Sequence, residues 1–271
     1  MNGIDGVLLD LVRKSAVEEE QGDFRRDGLL HCGRCGTARE CRIEFDGVPV
    51  VVGCMCQCRT EESDAKQRQK ERLEQFVSCQ RLRAQGIQDP AVRQCTFSAA
   101  KETKRIAQCQ AYASRWEQMR EQNAGLVFWG PPDGGKTYAA ACIANALIDR
   151  GVPALMTSFP MILNSGWDKA EIVRQMKRFP LLVLDDLGIE RESGYAMETV
   201  YFVIDERYKS RMPLIITTNL TLEELRRPKD IRFKRIYSRI LEMCVPVHFE
   251  EQRMREEKAA DKMRFAREVF G

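Results

Sequence analysis

Three short stretches between residues 130 and 219 combine residue types that suit phosphate chemistry. The first, GPPDGGKT at 130–137, fits the pattern G-x-x-x-x-G-K-[ST], in which glycines let the backbone approach an anion closely. In such a loop Lys136 reaches the β- and γ-phosphates of ATP, and the Thr137 hydroxyl ligates Mg²⁺. We expect the nucleotide to contact the whole loop and the residue after it: Gly130, Pro131, Pro132, Asp133, Gly134, Gly135, Lys136, Thr137 and Tyr138.

The other two stretches end apolar runs with polar side chains. LLVLDD, at 181–186, places Asp185 where it holds Mg²⁺ through water and Asp186 where it orients or deprotonates the attacking water. LIITTN ends in Asn219, whose amide is expected near the γ-phosphate. A buried strand with a polar end is the alternative for each stretch alone, but two adjacent carboxylates after four apolar residues favour the catalytic interpretation.

Asp133 is an unusual member of the loop, because it puts a carboxylate where an anion is to be held. Aspartate tolerates left-handed backbone better than most residues, so it can form the turn. Its charge is expected to weaken ATP binding without abolishing it. The loop pattern also arises by chance, and a strand before it with a helix after it, here LVFWG and KTYAAACIANALIDRG, is the context that phosphate binding requires.

A second candidate site is a cluster of cysteines. Six of the eleven lie between residues 32 and 58, which in a reducing compartment indicates a metal more than disulfides. Four thiolates on tight turns form a closed, structural Zn²⁺ site, and we expect the ligands Cys32, Cys35, Cys54 and Cys56, with Cys58 as the substitute. The intervening RIEFDGVPVVV is typical of a β-hairpin, so the segment predicts a zinc ribbon. Free cysteines are the alternative.

Two kinds of segment must carry these sites. From Gly125 onward, short apolar runs alternate with helical stretches, which predicts an α/β fold with a parallel sheet covered by helices on both faces. Ahead of it, the polar residues 59–85 indicate a solvated helix or linker, and residues 101–122 an amphipathic helix. We therefore expect a zinc-binding module and linker over residues 1–95 and a nucleotide-binding domain over residues 96–271.

Composition restricts the class of protein. The 271 residues are 44% apolar and 31% charged, which indicates a soluble, globular chain. Its net charge of +3 is too small to argue for nucleic acid, so any DNA contact needs a local patch. No apolar run approaches the ~20 residues of a membrane span, and the first residues lack the features of a signal peptide. We expect a cytoplasmic protein without membrane contact.

Together, the motifs resemble the AAA+ helicase-loader family of DnaC and DnaI and the related IstB transposition ATPases. The resemblance covers residues 95–250 and is carried by WGPPDGGKTYAAACIANALIDRG, LLVLDDLGIERESGYAMETVYFVIDERY, PLIITTNLTLEEL and DIRFKRIYSRILEMCVPVHF. It implies an AAA+ P-loop fold and an oligomeric ATPase that binds single-stranded DNA and acts on a hexameric helicase. The family's usual loop reads G-x-x-G-T-G-K-[ST], from which Asp133 and Gly134 depart.

The resemblance also implies roles outside the loop. Arg239 matches the arginine finger that completes a neighbouring subunit's site, with Arg235 on the same helical face as its companion. Two surface arginines on an amphipathic helix are the alternative. Ser193 and Tyr195 match residues that touch DNA in helicase loaders, and Arg191 suits a phosphate. A helix cap at Ser193, with Tyr195 as packing, is the alternative there.

These observations favour ATP-dependent loading of a replicative helicase onto single-stranded DNA by a homo-oligomer. The zinc module is then expected to contact the helicase. An IstB-like ATPase that assists a transposase is the first alternative, because the nucleotide site looks alike in both. The second is a zinc-bearing DNA-binding adaptor with a degenerate nucleotide site, which Asp133 alone supports.

Overall fold

The computed structural model describes residues 16–45, 47–166, 168–188, 194–251 and 254–270. The chain falls into two compact units that divide between Gln75 and Phe76. The functional boundary expected near residue 95 remains a prediction. Among the described helices, none has the length and apolar character that crossing a membrane requires.

The first unit contains two hairpins and the first part of a long helix. Its strands pair antiparallel as β1 (Phe24–Arg26) with β2 (Leu29–His31), and β3 (Glu40–Phe45) with β4 (Val48–Gly53). The β3–β4 hairpin is the predicted one, and Gly47 takes a left-handed φ of 79° in its turn. α1 (Gln57–Gly86) then forms one continuous helix over the polar segment, where the sequence allowed a helix or a linker.

Few apolar side chains are buried among the described residues of this first unit, which begin at residue 16. Leu30, Cys32 and Cys56 are buried there, together with Arg39, whose guanidinium forms an ion pair with Asp23. A hairpin on its own is at best marginally stable in water. So small a core does not stabilise two hairpins, which implies a further link such as a metal.

The second unit is built on a single five-stranded sheet. Its strand order is β6-β7-β8-β5-β9, and every neighbouring pair is parallel. The strands are β5 (Gly125–Trp129), β6 (Ala154–Ser158), β7 (Leu181–Leu187), β8 (Leu214–Thr218) and β9 (Cys244–His248). Because all of them run the same way, their carboxyl ends meet at one edge, where ligands bind in open α/β sheets.

Helices cover both faces of this sheet, as predicted. The helices of this unit are α2 (Pro90–Arg93), α3 (Lys104–Ser114), α4 (Trp116–Glu121), α5 (Lys136–Asp149), α6 (Phe159–Asn164), α7 (Lys169–Arg178), α8 (Gly194–Ser210), α9 (Leu222–Arg226), α10 (Ile231–Met243) and α11 (Met254–Phe270). Nearly all described side chains of α11 are exposed, so this helix is not part of that cover. The single helix expected over 101–122 is divided at Arg115, where the backbone leaves the helical conformation. The sequence patterns did not predict α6 and α7.

Alternate strand residues supply two separate apolar clusters. In β8, Leu214 and Ile216 join the cluster on one face, and Ile215 joins the cluster on the other. A strand covered on both faces has no solvent-exposed side that would require polar residues, which explains the continuous apolar runs in the sequence. The predicted α/β fold is confirmed.

A buried arginine ties the amino-terminal edge of this sheet together. The Arg207 guanidinium donates to the backbone carbonyls of Met176, Phe179, Pro180 and Pro213. These carbonyls lie at the end of α7 and just before β7 and β8, so one side chain satisfies three chain segments. Burial lowers the pKa of Arg207 to about 9, so the side chain still carries its charge at neutral pH.

Candidate functional site

The loop between β5 and α5 has the backbone of a phosphate cradle. Gly130 and Gly135 take φ values of 135° and 82°, and Asp133 takes 64°, so the aspartate does form a left-handed turn. A Cβ atom at Gly130 would lie 2.1 Å from the carbonyl oxygen of Phe249, which excludes any side chain there. α5 begins directly after Gly135, and the N–H groups of a helix's first turn have no carbonyl partner within the helix, which is the arrangement that binds anions.

Lys136 connects this loop to Asn219, which follows β8. Its ammonium group donates to the carbonyls of Gly130 (2.9 Å) and Pro131 (2.6 Å) and to the amide oxygen of Asn219 (2.8 Å). The residue is only 6% exposed. A buried cation needs strong acceptors, and phosphate oxygens are stronger acceptors than neutral carbonyls. The pocket therefore suits an anion beside Lys136.

Thr137 connects the loop to Asp185 in β7. Its hydroxyl donates to Oδ1 of Asp185 at 2.9 Å, and the hydroxyl of Thr217 donates to the same oxygen at 2.6 Å. Burial raises the pKa of Asp185, and these two hydrogen bonds oppose that rise. Hydroxyl and carboxylate oxygens are ligands that Mg²⁺ prefers, so the residues present fit this ion. A cation here would favour the charged carboxylate that burial disfavours.

β7 is irregular at the second carboxylate. Asp186 takes a left-handed φ of 58°, and the pairing of β7 with β8 shifts register between Leu184 and Leu187. The N–H of Asp186 donates to the Thr217 hydroxyl at 2.9 Å, which helps to hold this conformation. Bulges of this kind redirect side chains next to active sites, and a left-handed non-glycine residue costs on the order of 1 kcal/mol. The sequence did not predict the irregularity.

A shallow cleft lies beside the loop. Its cavity volume is about 20 Å³, it opens to solvent, and it is lined by Ala100, Lys101, Thr103, Ile106, Gly134, Gly135, Tyr138 and Phe249. The Tyr138 hydroxyl donates to the carbonyl of Thr96 at 3.2 Å, which ties the loop helix to the segment ahead of α3. Apolar walls with a few polar groups suit a nucleobase. Sequence reasoning missed the lining residues outside the loop, because they are far from it in the chain.

Comparison with known proteins identifies the family. The model of the IstB-like ATP binding proteins matches residues 60–261, which include the whole phosphate loop and both polar strand ends. The chain belongs to this family. Its second unit is therefore an ATP-binding P-loop domain of the AAA+ type, as the motifs indicated.

Individual relatives of this IstB-like protein agree with that result. The replicative helicase loader DnaC of Escherichia coli K12 is 31% identical over 110 residues, which are 38% of this chain and 45% of DnaC. The uncharacterized protein YdaV of the same strain is 30% identical over 180 residues, 63% of this chain and 69% of YdaV. A crystal structure of DnaI is similar in fold, with a TM-score of 0.51 and 22% identity over 60% of this chain and 95% of that one. The match to DnaC thus spans less than half of that protein's length.

The two candidate finger arginines lie on α10 and face α8 of the same chain. Arg239 forms an ion pair with Asp205, and its guanidinium lies 5.3 Å from the ring centres of Tyr201 and Tyr208. Its side chain is 17% exposed. Arg235 is exposed and lies 5.4 Å from the ring centre of Tyr201. Contact between Arg239 and a neighbouring subunit's nucleotide therefore requires Arg239 to leave Asp205.

The predicted DNA contacts fall at the edge of what the structure describes. Arg191 and Ser193 lie outside the described residues, and for Tyr195 only the backbone, in the first turn of α8, is described. Their contact with DNA stays a prediction.

The cysteine cluster, ahead of the family match, brings four thiols together. The Sγ atoms of Cys32, Cys35, Cys56 and Cys58 all lie within 4.8 Å of one another. Cys58 lies 3.6 Å from Cys32 and 3.4 Å from Cys56, measured between sulfurs. Tetrahedral zinc with bonds of ~2.3 Å separates its sulfurs by about 3.8 Å, so the four thiols fit this ion. The Thr37 hydroxyl and backbone N–H groups lower the pKa of Cys35 to about 5, which favours a thiolate.

This ligand set corrects the expected one, because Cys58 occupies the place assigned to Cys54. The Cys54 thiol instead donates to the carbonyl of Ala38 at 3.5 Å, and burial raises its pKa. α1 begins at Gln57, so its first turn carries Cys58 back toward the Cys32–Cys35 turn. The even spacing of Cys54, Cys56 and Cys58 holds no sign of where that helix starts.

Proposed function

We propose that this IstB-like protein is an ATPase that loads a replicative helicase onto single-stranded DNA. One arrangement carries the proposal: Lys136 bonds to Asn219, and Thr137 bonds to Asp185, so three motifs from distant parts of the sequence meet at one point. Phosphate binding, metal binding and contact with the γ-phosphate all need groups at that point. The similarity to DnaC supports a helicase as the partner.

In this proposal each side chain at the site has one role. Lys136 binds the β- and γ-phosphates, and Asn219 orients the attacking water near the γ-phosphate. Asp186, redirected by the irregularity in β7, accepts a hydrogen bond from that water. Thr137 and Asp185 would hold Mg²⁺, which when bound neutralises charge on the phosphates.

Completion of the site by a second subunit is part of the same proposal. Arg239, assisted by Arg235, would stabilise the transition state in a neighbouring copy, as arginine fingers do. Nucleotide binding would then be linked to a homo-oligomer on DNA, with Arg191, Ser193 and Tyr195 among the DNA contacts. The zinc-bearing module within residues 1–95 would contact the helicase, and residues 96–271 would hydrolyse ATP.

Co-purification from the native host with ATP present tests the partner. The full chain is expected to recover a hexameric helicase, and the double variant Cys32→Ser/Cys58→Ser is expected to lose it. Truncation at residue 95 would be a poorer comparison, because residues 76–86 of α1 belong to the second unit: a Cβ on Gly86 would lie 1.9 Å from the carbonyl oxygen of Ala154. Recovery of no helicase by the full chain would contradict the proposal.

A second candidate is an ATPase that assists a transposase, because the matching family model is named for IstB-like proteins. The same five residues of the nucleotide site would bind and hydrolyse ATP, so this site does not separate the two functions. Recovery of a transposase in the co-purification, in place of a helicase, would favour this candidate.

A further inference from the structure

A strongly basic stretch runs from α9 to the middle of α10. Residues 222–235 contain six basic side chains, all exposed, and three acidic ones. The basic residues are Arg226, Arg227, Lys229, Arg232, Lys234 and Arg235. Their surplus of three positive charges equals the net charge of the whole chain. We call this stretch the α9–α10 basic surface.

The three carboxylates of this surface are already engaged. Glu223 pairs with Arg227 at 3.4 Å, and Asp230 pairs with Arg232 at 2.5 Å. Glu224 closes the capping box at the start of α9. These contacts use the acidic groups locally and leave the other cations without them.

Two of the six cations pair with these carboxylates and Arg235 lies over the Tyr201 ring, so three remain for an external partner. Across the described ranges, Arg226, Lys229 and Lys234 make no ion pair. Exposed cations with no internal carboxylate lose little when they bind an anion, because no existing pair has to be broken. A cluster of them favours a polyanion.

A cleft lies among these cations. Its cavity volume is about 200 Å³, it opens to solvent, and it is lined by Glu224, Pro228, Lys229, Asp230, Phe233 and Tyr237. The rings of Phe233 and Tyr237 are stacked, with centroids 5.4 Å apart and planes at 24°. Phe233 is half-buried, so part of its surface stays accessible to a ligand.

We propose that the α9–α10 basic surface binds single-stranded nucleic acid. Arg226, Lys229 and Lys234 would contact phosphates, and an unpaired base would enter the cleft against Phe233. Every base has a face that stacks on an aromatic ring, so the cleft favours nucleic acid over an acidic protein surface. The inference rests on the proposed function in one respect: if the protein loads a helicase onto single-stranded DNA, this surface is a second contact for that DNA, separate from residues 191–195.

Salt dependence of binding is the first test. Fluorescence anisotropy of a labelled oligothymidylate, titrated without ATP at several KCl concentrations, compares Arg226→Gln/Lys229→Gln/Lys234→Gln with the unaltered chain. Each phosphate contact with a single strand contributes about 0.7 to the slope of log K against log salt, so three lost contacts should reduce it by about 2. The control Lys66→Gln/Arg68→Gln/Arg72→Gln removes equal charge from exposed positions of α1 and should keep the slope.

The cleft is tested by Phe233→Leu against Phe233→Tyr. Loss of stacking should weaken binding about fivefold to a hundredfold, while the tyrosine variant keeps the ring and restores affinity. Neither variant should change the salt slope. Tryptophan-fluorescence melting of both variants distinguishes a lost contact from a lost fold. The same titrations with oligouridylate determine whether DNA or RNA binds more tightly.

Equal slopes for the two triple variants would overturn the proposal, and so would the absence of oligonucleotide binding by the unaltered chain. In the latter case an acidic protein would be the better partner for the surface. Because ATP and helicase are absent from the titrations, failure of the proposed ATPase or loading activity leaves this result standing. The reverse holds as well.

Discussion

The two units of the chain achieve stability in different ways. The second unit covers both faces of a five-stranded sheet with apolar side chains, and its nucleotide site lies at the edge of that sheet. The described residues of the first unit bury little apolar surface, and four thiols meet between its two hairpins and a helix. The nucleotide site therefore lies on a fold that is stable without a ligand, whereas the cysteine site itself helps to stabilise the first unit.

One buried arginine in each unit follows the same contrast. In the second unit, backbone carbonyls at the ends of well-packed elements satisfy Arg207. In the first unit, Arg39 pairs with Asp23, and the N–H groups of Glu20 and Gly33 help to lower the pKa of that carboxyl. Packed backbone holds the first arginine, and a charge partner holds the second.

The most severe test of this contrast is Cys58→Ser. Structural zinc contributes on the order of 10 kcal/mol in zinc-finger peptides, so loss of one thiolate should release the metal and unfold the hairpins. The second unit should be unaffected. All three tryptophans lie in residues 76–271, so fluorescence melting follows that unit alone, while metal analysis and NMR follow the first unit.

Cys54→Ser is the matched control, because it removes a nearby thiol that lies outside the cluster. It should retain one zinc per chain and the NMR spectrum of the hairpins. Zinc retained by Cys58→Ser but lost by Cys54→Ser would reverse the ligand assignment. No zinc in the unaltered chain would contradict the metal site altogether.

The complementary test removes the ligand contacts of the second unit. Lys136→Ala should lose ATP binding and reduce hydrolysis to background, since no other described cation is bonded to the loop carbonyls. The zinc content and the fluorescence melting curve should stay close to those of the unaltered chain. Titration with a fluorescent ATP analogue and phosphate release measure the two losses.

Lys177→Ala, at an exposed position of α7, is the control for charge. Hydrolysis that survives Lys136→Ala would contradict the phosphate-loop assignment. Weak ATP binding that Lys136→Ala leaves unchanged, together with intact DNA binding, would favour the adaptor with a degenerate nucleotide site.

The nucleotide site could be predicted in large part because its fold is parallel. Lys136, Asp185 and Asn219 each follow a recognisable apolar strand, and parallel pairing carries all three strand ends to one edge. Short local sequence patterns therefore predict which residues come together in space, although they are far apart in the chain. The contact between the Phe249 carbonyl and Gly130 could not be predicted in this way, because it exists only since β9 pairs beside β5.

The cysteine site could be predicted in kind but not in detail. Cys32 and Cys35 share one turn, and their spacing alone places both at the metal. The choice between Cys54 and Cys58 depends on α1 starting at Gln57, and the polar sequence there carries no clear start signal. Where packing is weak, small shifts in an element boundary decide which side chains meet.

A subtler test concerns an arginine that is packed but is proposed to act on another subunit. Arg239→Ala should retain ATP binding and lower hydrolysis by the assembled protein on the order of a thousandfold. It should also cost about 1 kcal/mol in stability of the second unit, because Asp205 loses one of its two cationic partners and keeps Lys209 at 2.6 Å.

Arg235→Ala separates the two arginines. The Arg235 side chain is exposed, lies over the Tyr201 ring and makes no ion pair within the described residues, so stability should change by less than in Arg239→Ala. Equal loss of ATP binding and hydrolysis in Arg239→Ala would contradict a finger. Steady-state hydrolysis as a function of protein concentration, alongside fluorescence melting, measures both effects.

A small gain in stability is expected from Asp185→Asn. Burial raises the pKa of Asp185 above its ordinary 3.8, so the folded state favours the protonated form, and the resulting stability is lost as pH rises through the folded pKa. Asparagine keeps an acceptor for the two threonine hydroxyls without the buried charge. In EDTA at pH 7 the variant should melt higher by about 2–4 °C, or ~1 kcal/mol, and the difference should vanish below pH ~4.

Mg²⁺ provides the control for this substitution, since it should raise the melting temperature of the unaltered chain and leave that of the variant unchanged. A variant that melts lower at pH 7 would mean that the carboxylate stabilises the empty site. Hydrolysis should be lost in either case. A substitution can remove catalysis and yet stabilise the fold only where the fold does not depend on the ligand. Because the first unit does depend on its metal, no substitution of the four cluster cysteines should have this effect.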